Sequence, residues 1–171
     1  MGKVFGFPDP VNEVSARVVA GGVLVMSVAA IGLGLPWLLV PLAYGFVARV
    51  ATGPKLSPLG QFATRIVTPR LPFAPKFVPG PPKRFAQAIG AVVTVTALGL
   101  FAGFGLRTPA FVLLGVLVVA AGMESLLGIC IGCKIFALLM RTGIIPESVC
   151  EACNNFNLDD TARRPPSNSL Q

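Results

Sequence analysis

Apolar residues gather into four long stretches along the chain. The first runs over about 18–35 and the second over 36–50. The third covers 86–106, and the fourth opens at Pro109 and stays apolar to Met140. A bilayer core of about 30 Å takes about 20 helical residues, which the third stretch matches. The first two are short, and Gly34-Leu35-Pro36 between them predicts either a tight turn joining two helices or a re-entrant hairpin. Both versions return the chain to the side it left. The fourth is too long for one span, so the exit falls near Ile129 and the remainder lies as a helix at the interface. The expected fold is therefore all-α and integral to a membrane. Four transmembrane helices occupy about 18–35, 36–50, 86–106 and 109–129, the first two as a short hairpin. A cytoplasmic interfacial helical hairpin follows over 130–153. Residues 1–153 form a single membrane domain, and the polar tail 154–171, with two adjacent prolines, reads as disordered.

Composition agrees with this pattern. Of 171 residues, 54% are apolar and 12% charged, with mean hydropathy +0.77; a soluble domain carries about a quarter charged residues. Charge sets the orientation. The segment 51–84 holds Lys55, Arg65, Arg70, Lys76, Lys83 and Arg84 and no acid. Lys3, Arg17 and Arg49 fall on the same side, as do Lys134, Arg141, Arg163 and Arg164, leaving Arg107 alone for the other. Both termini are expected in the cytoplasm of a bacterial cell, with the protein in the inner membrane. Asp9 and Glu13 stand where a signal peptide wants positive charge, so no targeting peptide is expected. The basic charge is a topological signal, with the lipid bilayer as partner and no nucleic acid. The basic segment also carries eight prolines and is expected to lie extended along the membrane. The exception is a short interfacial helix capped by Ser57 with Pro58 at its first position, on which Leu59, Phe62 and Ile66 share a face.

The specific chemistry is in the cysteines. The chain has no histidine, which removes imidazole-dependent triads and zinc–histidine sites. All four cysteines form two pairs, Cys130-Ile-Gly-Cys133 and Cys150-Glu-Ala-Cys153, with sixteen residues between. A helix over about 133–141, stopped by Thr142-Gly143, and a second begun at Pro146 would fold back so that the pairs stand side by side. Three readings stay open. Four thiolates at this spacing suit a structural zinc site, and an Fe–S cluster would use the same ligands; the protein would then be a non-enzymatic membrane scaffold or complex subunit. A dithiol relay would move electrons or sulfane sulfur between the pairs. Cys130 would be the attacking thiol at a helix start, Cys133 the resolving thiol, and Cys150 and Cys153 the exchange pair facing the cytosol, with Lys134 stabilising thiolate. The third reading is four small apolar fillers. A permanent disulfide is the least favoured state in a reducing cytosol.

Glu124 is the other candidate. At about 1.5 Å per residue from Pro109 it lies about 22 Å into the bilayer, where a charge costs about 2.5–3.5 kcal/mol. It would serve as proton acceptor for the thiols or as a satisfied acid near the inner boundary. On a continuous helix it points about 120° away from Cys130, so a direct role requires a break at Gly128 or Gly132. Gly99 with Gly103, and Gly21, Gly22, Gly115 and Gly122, are expected to thin helix faces for close packing.

Several motifs carry a resemblance: Asp9-Pro10-Val11-Asn12 with Arg17, Ser57-Pro58-Leu59, Lys83-Arg84-Phe85-Ala86-Gln87, and Gly128-Ile129-Cys130-Ile131-Gly132-Cys133. On these the chain resembles the bacterial membrane family called domain of unknown function 4395, over about 8–141. The second pair looks like the version seen in actinobacterial members. The resemblance implies a membrane placement and a soluble thioredoxin-like or sulfurtransferase partner, and assigns no reaction. A homo-oligomer or a larger membrane complex is compatible with it.

Overall fold

The computed structural model describes residues 9–72, 74, 76–146 and 149–150. Asn12 starts the first helix, its Oδ1 accepting the Val14 N–H at 3.0 Å, with Glu13 beside the positive end of the dipole. Helix α1 then runs over Glu13–Gly32, five residues earlier than the apolar stretch begins. The chain reverses through Gly34-Leu35, and a single tight turn, Pro36–Leu38, leads into α2, Leu39–Thr52. Ser57 caps the short helix α3, Pro58–Phe62, by accepting the Gly60 N–H at 3.2 Å. Strands β1 (Val11–Asn12) and β2 (Phe77–Val78) pair antiparallel, Val11 opposite Val78. This brings Asp9 to α4 (Gly80–Phe104), where its Oδ1 accepts the Gly80 N–H at 3.0 Å. Gly105 turns the chain into α5, Arg107–Gly122, which continues as a wider turn over Met123–Leu127. Helix α6 covers Ile131–Arg141.

Among the described residues three helical runs are long and apolar enough to cross a membrane: Glu13–Gly32, Gly80–Phe104 and Arg107–Leu127. The surface agrees, since Val25, Val92, Val112, Val116 and Val119 point outward, a distribution water would penalise and lipid tails do not. Inside, Val23, Ala30, Leu39, Leu42, Phe46, Ala97, Leu114 and Leu117 form one apolar core shared by α1, α2, α4 and α5. Hydrogen bonds fix which ends lie together. Arg17 near the start of α1 reaches Ser125 and Leu126 at the end of the α5 run. Arg49 near the end of α2 reaches Gln87 near the start of α4. One end of the bundle thus gathers the basic residues, while Arg107 sits at the opposite end over the Phe101 ring.

Two expectations need correction. The basic segment is not extended throughout: after α3 it winds through Ala63–Val67 and Thr68–Arg70 as further helical turns. Pro54, Pro58, Pro69 and Pro81 fall at the first or second positions of helical turns, where no N–H is needed. Leu59 turns inward over Gly22, whereas Phe62 and Ile66 stay exposed. The glycine expectation also divides. Gly21 and Gly22 are closely approached by Ser125 and Leu59, and Gly122 loosely by Leu24. Gly99, Gly103 and Gly115 meet no packing neighbour among the described residues.

Candidate functional site

The site forms where the last apolar helix stops. Gly128 adopts φ +70°, the left-handed conformation that glycine enters without a Cβ penalty. Its N–H donates to the Glu124 carbonyl at 3.1 Å and that of Ile129 to the Met123 carbonyl at 3.1 Å. Arg17 closes the remaining carbonyls: its Nη2 donates to Ser125 O at 3.2 Å and Leu126 O at 3.1 Å. The direction change falls at the first of the two glycines where a break was required to bring Cys130 round to Glu124. Both residues line one cavity.

Cys130 is the N-cap of α6. Its Sγ accepts the Cys133 N–H at 3.4 Å and lies 2.6 Å from Cys133 Sγ. Both thiols are free and half-buried. Their spacing at i and i+3 follows from helical geometry, which places them on one face. The two sulfurs are unequal. The hydrogen bond from the Cys133 thiol holds Cys130 below the usual thiol range, against the opposing effects of burial and of Glu124; Lys83 and the Cys133 N–H also favour its thiolate. That same hydrogen bond, with burial, pushes Cys133 up. The surroundings thus favour the thiolate at Cys130 and the protonated thiol at Cys133.

The cation beside the sulfurs is Lys83. It enters from the first turn of α4, and its Nζ meets Glu124 Oε1 at 2.7 Å, with the side chains 8% and 16% exposed. Lys134, the residue expected to stabilise thiolate, is exposed on α6. Sequence reasoning missed the Lys83 role because the residue belongs to a basic run read only as an orientation signal. Arg49 extends the polar cluster. It is 5% exposed, lies 4.4 Å over the Phe46 ring, and donates to Gln87 Oε1 at 2.9 Å and Ser57 Oγ at 3.1 Å.

Docking of α6 depends on Gly132. A Cβ there would stand 2.6 Å from Ala86 Cα, a distance backbone cannot yield without moving the helix. Phe136 on the next turn packs against Phe85, ring centres 5.6 Å apart. Gly132→Ala is expected to cost about 1–3 kcal/mol, as overpacked sites do. Thermal unfolding in detergent checks the loss, and increased labelling of the Cys130 pair shows that α6 has lifted.

Cys150 is 4% exposed and disulfide-bonded, so its sulfur does not face solvent as expected. Cys153 and most of the expected returning helix lie outside the described residues. Of the four expected metal ligands, two are thus a thiol pair and one a half-cystine. Among the described residues no three of Cys, Asp and Glu come together to hold a metal.

A family model described as Domain of unknown function (DUF4395) matches residues 11–141, from the first strand to the end of α6. No curated protein and no solved structure matches the chain.

Proposed function

We propose, for a chain that belongs to the DUF4395 family, a membrane-anchored thiol–disulfide relay whose working pair is Cys130 and Cys133. The carrying observation is the placement of Cys130 Sγ at the N-terminus of α6, 2.6 Å from Cys133 Sγ, with Lys83 and Glu124 beside it. A helix N-terminus and a cation both favour thiolate, and an adjacent protonated thiol is what resolution requires. The Cys130 thiolate attacks a sulfur of the partner's disulfide; a mixed disulfide forms and the partner's other sulfur leaves as thiolate. Cys133 then loses its proton, attacks Cys130 Sγ, and releases the second partner sulfur. The pair ends oxidised and the partner reduced by two electrons. The reverse sequence uses the same mixed disulfide. Cys150 and Cys153 are the second couple, exchanging with the first and with a soluble thioredoxin-like protein.

The reading places four passes in the bacterial inner membrane, with both termini and the cysteines in the cytoplasm. The positive-inside rule supports that side, since the basic residues gather at the cysteine end. Pro36–Thr52, as a continuous helical run of about 25 Å, supports the short fourth pass.

Oxidised glutathione provides the test. Cys133→Ser is expected to accumulate a stable glutathione adduct on Cys130, whereas the unaltered chain forms an internal disulfide and releases the glutathione. Cys130→Ser gives neither product. Stoichiometric zinc that survives dialysis and leaves no reactive thiols contradicts the relay.

A further inference from the structure

A cavity of about 410 Å³ opens between α1, α2, α4, α5 and α6, within the range of small-molecule sites, about 300–1,000 Å³. Its walls are apolar along most of their length, and its polar groups are Arg49, Gln87, Glu124 and Cys130. Of its lining residues Ile89, Ile135, Val116 and Val119 are 36%, 40%, 57% and 61% exposed, and Val116 and Val119 lie on the apolar run Arg107–Leu127. Side chains of this kind on a membrane helix face lipid, so the mouth opens toward the acyl chains. One group in the wall lacks a partner. Arg49 is 5% exposed, yet its Nη2 has no hydrogen-bond acceptor among the described residues. A buried, unsatisfied donor of this kind costs stability unless a ligand supplies the acceptor.

We propose that this cavity binds the ring of a membrane quinone, with Arg49 Nη2 donating to a quinone carbonyl and Cys130 against the ring. The inference rests on the dithiol reading above and supplies its missing electron acceptor. The occupant must be lipid-soluble, because the mouth faces lipid, and must carry an acceptor oxygen for Arg49. Charge favours a neutral headgroup over an anionic one. Arg49 and Lys83 against Glu124 leave one positive charge, and the Cys130 thiolate balances it. The step is a two-electron exchange. One S–H bond, that of Cys133, breaks as one S–S bond forms between Cys133 and the Cys130 thiolate. The quinone takes up both electrons, one proton from Cys133 and one from the Lys83 ammonium, which interfacial water then restores, forming two O–H bonds as it becomes quinol. Glu124 and Lys83 stand beside the sulfurs to pass the protons.

The test mixes the reduced full-length protein in detergent with a short-tailed menaquinone whose ring is fully substituted, so that thiols cannot add to it. Loss of quinone absorbance is followed alongside thiol count, and oxidised glutathione serves as a second, water-soluble oxidant. Expected is one quinone reduced per Cys130–Cys133 disulfide formed, at a rate that saturates with quinone. Val119→Trp, which fills the mouth, lowers that rate at least tenfold. Arg49→Gln raises the quinone concentration for half-maximal rate at least tenfold. Should Arg49→Gln fail to fold, Val119→Trp carries the comparison. If glutathione oxidises the pair and menaquinone does not, or if Val119→Trp leaves the quinone rate unchanged, the quinone site is wrong and the relay stands. A lipid chain retained in the cavity with no quinone reduction overturns it likewise. If neither oxidant forms the disulfide, the dithiol reading itself fails.

Discussion

At pH 7, iodoacetamide is expected to modify Cys130 first, and replacing that residue with serine moves Cys133 labelling toward lower pH. The thiolate is the reacting form, and an ordinary thiol near pKa 8.5 holds only a few per cent of it at pH 7. Cys130 is held below its ordinary range by the hydrogen bond from Cys133, while Cys133 is pushed above it by the same bond and by burial. A lowered pKa moves the rise of the rate–pH profile to lower pH, and each unit is tenfold in thiolate fraction below the midpoint. The Cys130 profile should therefore rise and level off before that of a free thiol, and Cys133 should stay unreactive across the neutral range. Cys133→Ser removes the main cause of the lowering, so Cys130 labelling in that variant moves toward higher pH. Mass spectrometry of the peptide carrying both residues, sampled between pH 5 and 10, separates the two sites.

Lys83→Met is expected to destabilise the protein by about 3–5 kcal/mol, because it leaves the Glu124 carboxylate in a site where both side chains are more than four-fifths buried. Glu124→Gln leaves the ammonium unpaired and is expected to cost a comparable amount. Replacing both together should recover most of either loss, since the charge that lacked a partner is then gone. The pair also gives opposite signs at the sulfurs. Lys83 lowers the Cys130 pKa and Glu124 raises it, so Lys83→Met shifts the labelling profile to higher pH and Glu124→Gln to lower pH. Thermal unfolding in detergent reads the stability, and labelling reads the electrostatics. A merely structural ion pair would move the first and leave the second unchanged.

The membrane helices were legible because apolar runs of the right length determine them almost alone. Their starts were placed less well. Helix α1 begins at Glu13 and α4 at Gly80, inside polar sequence, because Asn12 and Asp9 supply caps that an apolar pattern does not register. The Cys130 N-cap could be read locally, since a cysteine three residues before another at a helix start satisfies the first free N–H. Glu124 showed itself as an isolated charge in an apolar run. Lys83 did not, because its partner lies 41 residues away across a helix pair, and a basic residue in a basic loop already had an explanation. Arg49 was hidden for the same reason. The packing glycines illustrate a further limit. Gly99 and Gly103 have the spacing of a helix-packing motif and pack against nothing described, whereas Gly90 lies under Phe46 and Gly132 against Ala86. Spacing identifies a thin face; only the fold says which face is used.

Redox titration reads the Cys130–Cys133 couple itself. The purified full-length protein is equilibrated in glutathione buffers of graded potential, quenched with a maleimide, and the 130–133 peptide weighed. A reversible two-electron transition is expected at that peptide, about 30 mV per decade of oxidant ratio, with Cys130 and Cys133 reacting together and no stoichiometric zinc. Two thiols that stay reduced across the whole range, or that are shielded by one zinc per chain, would contradict it.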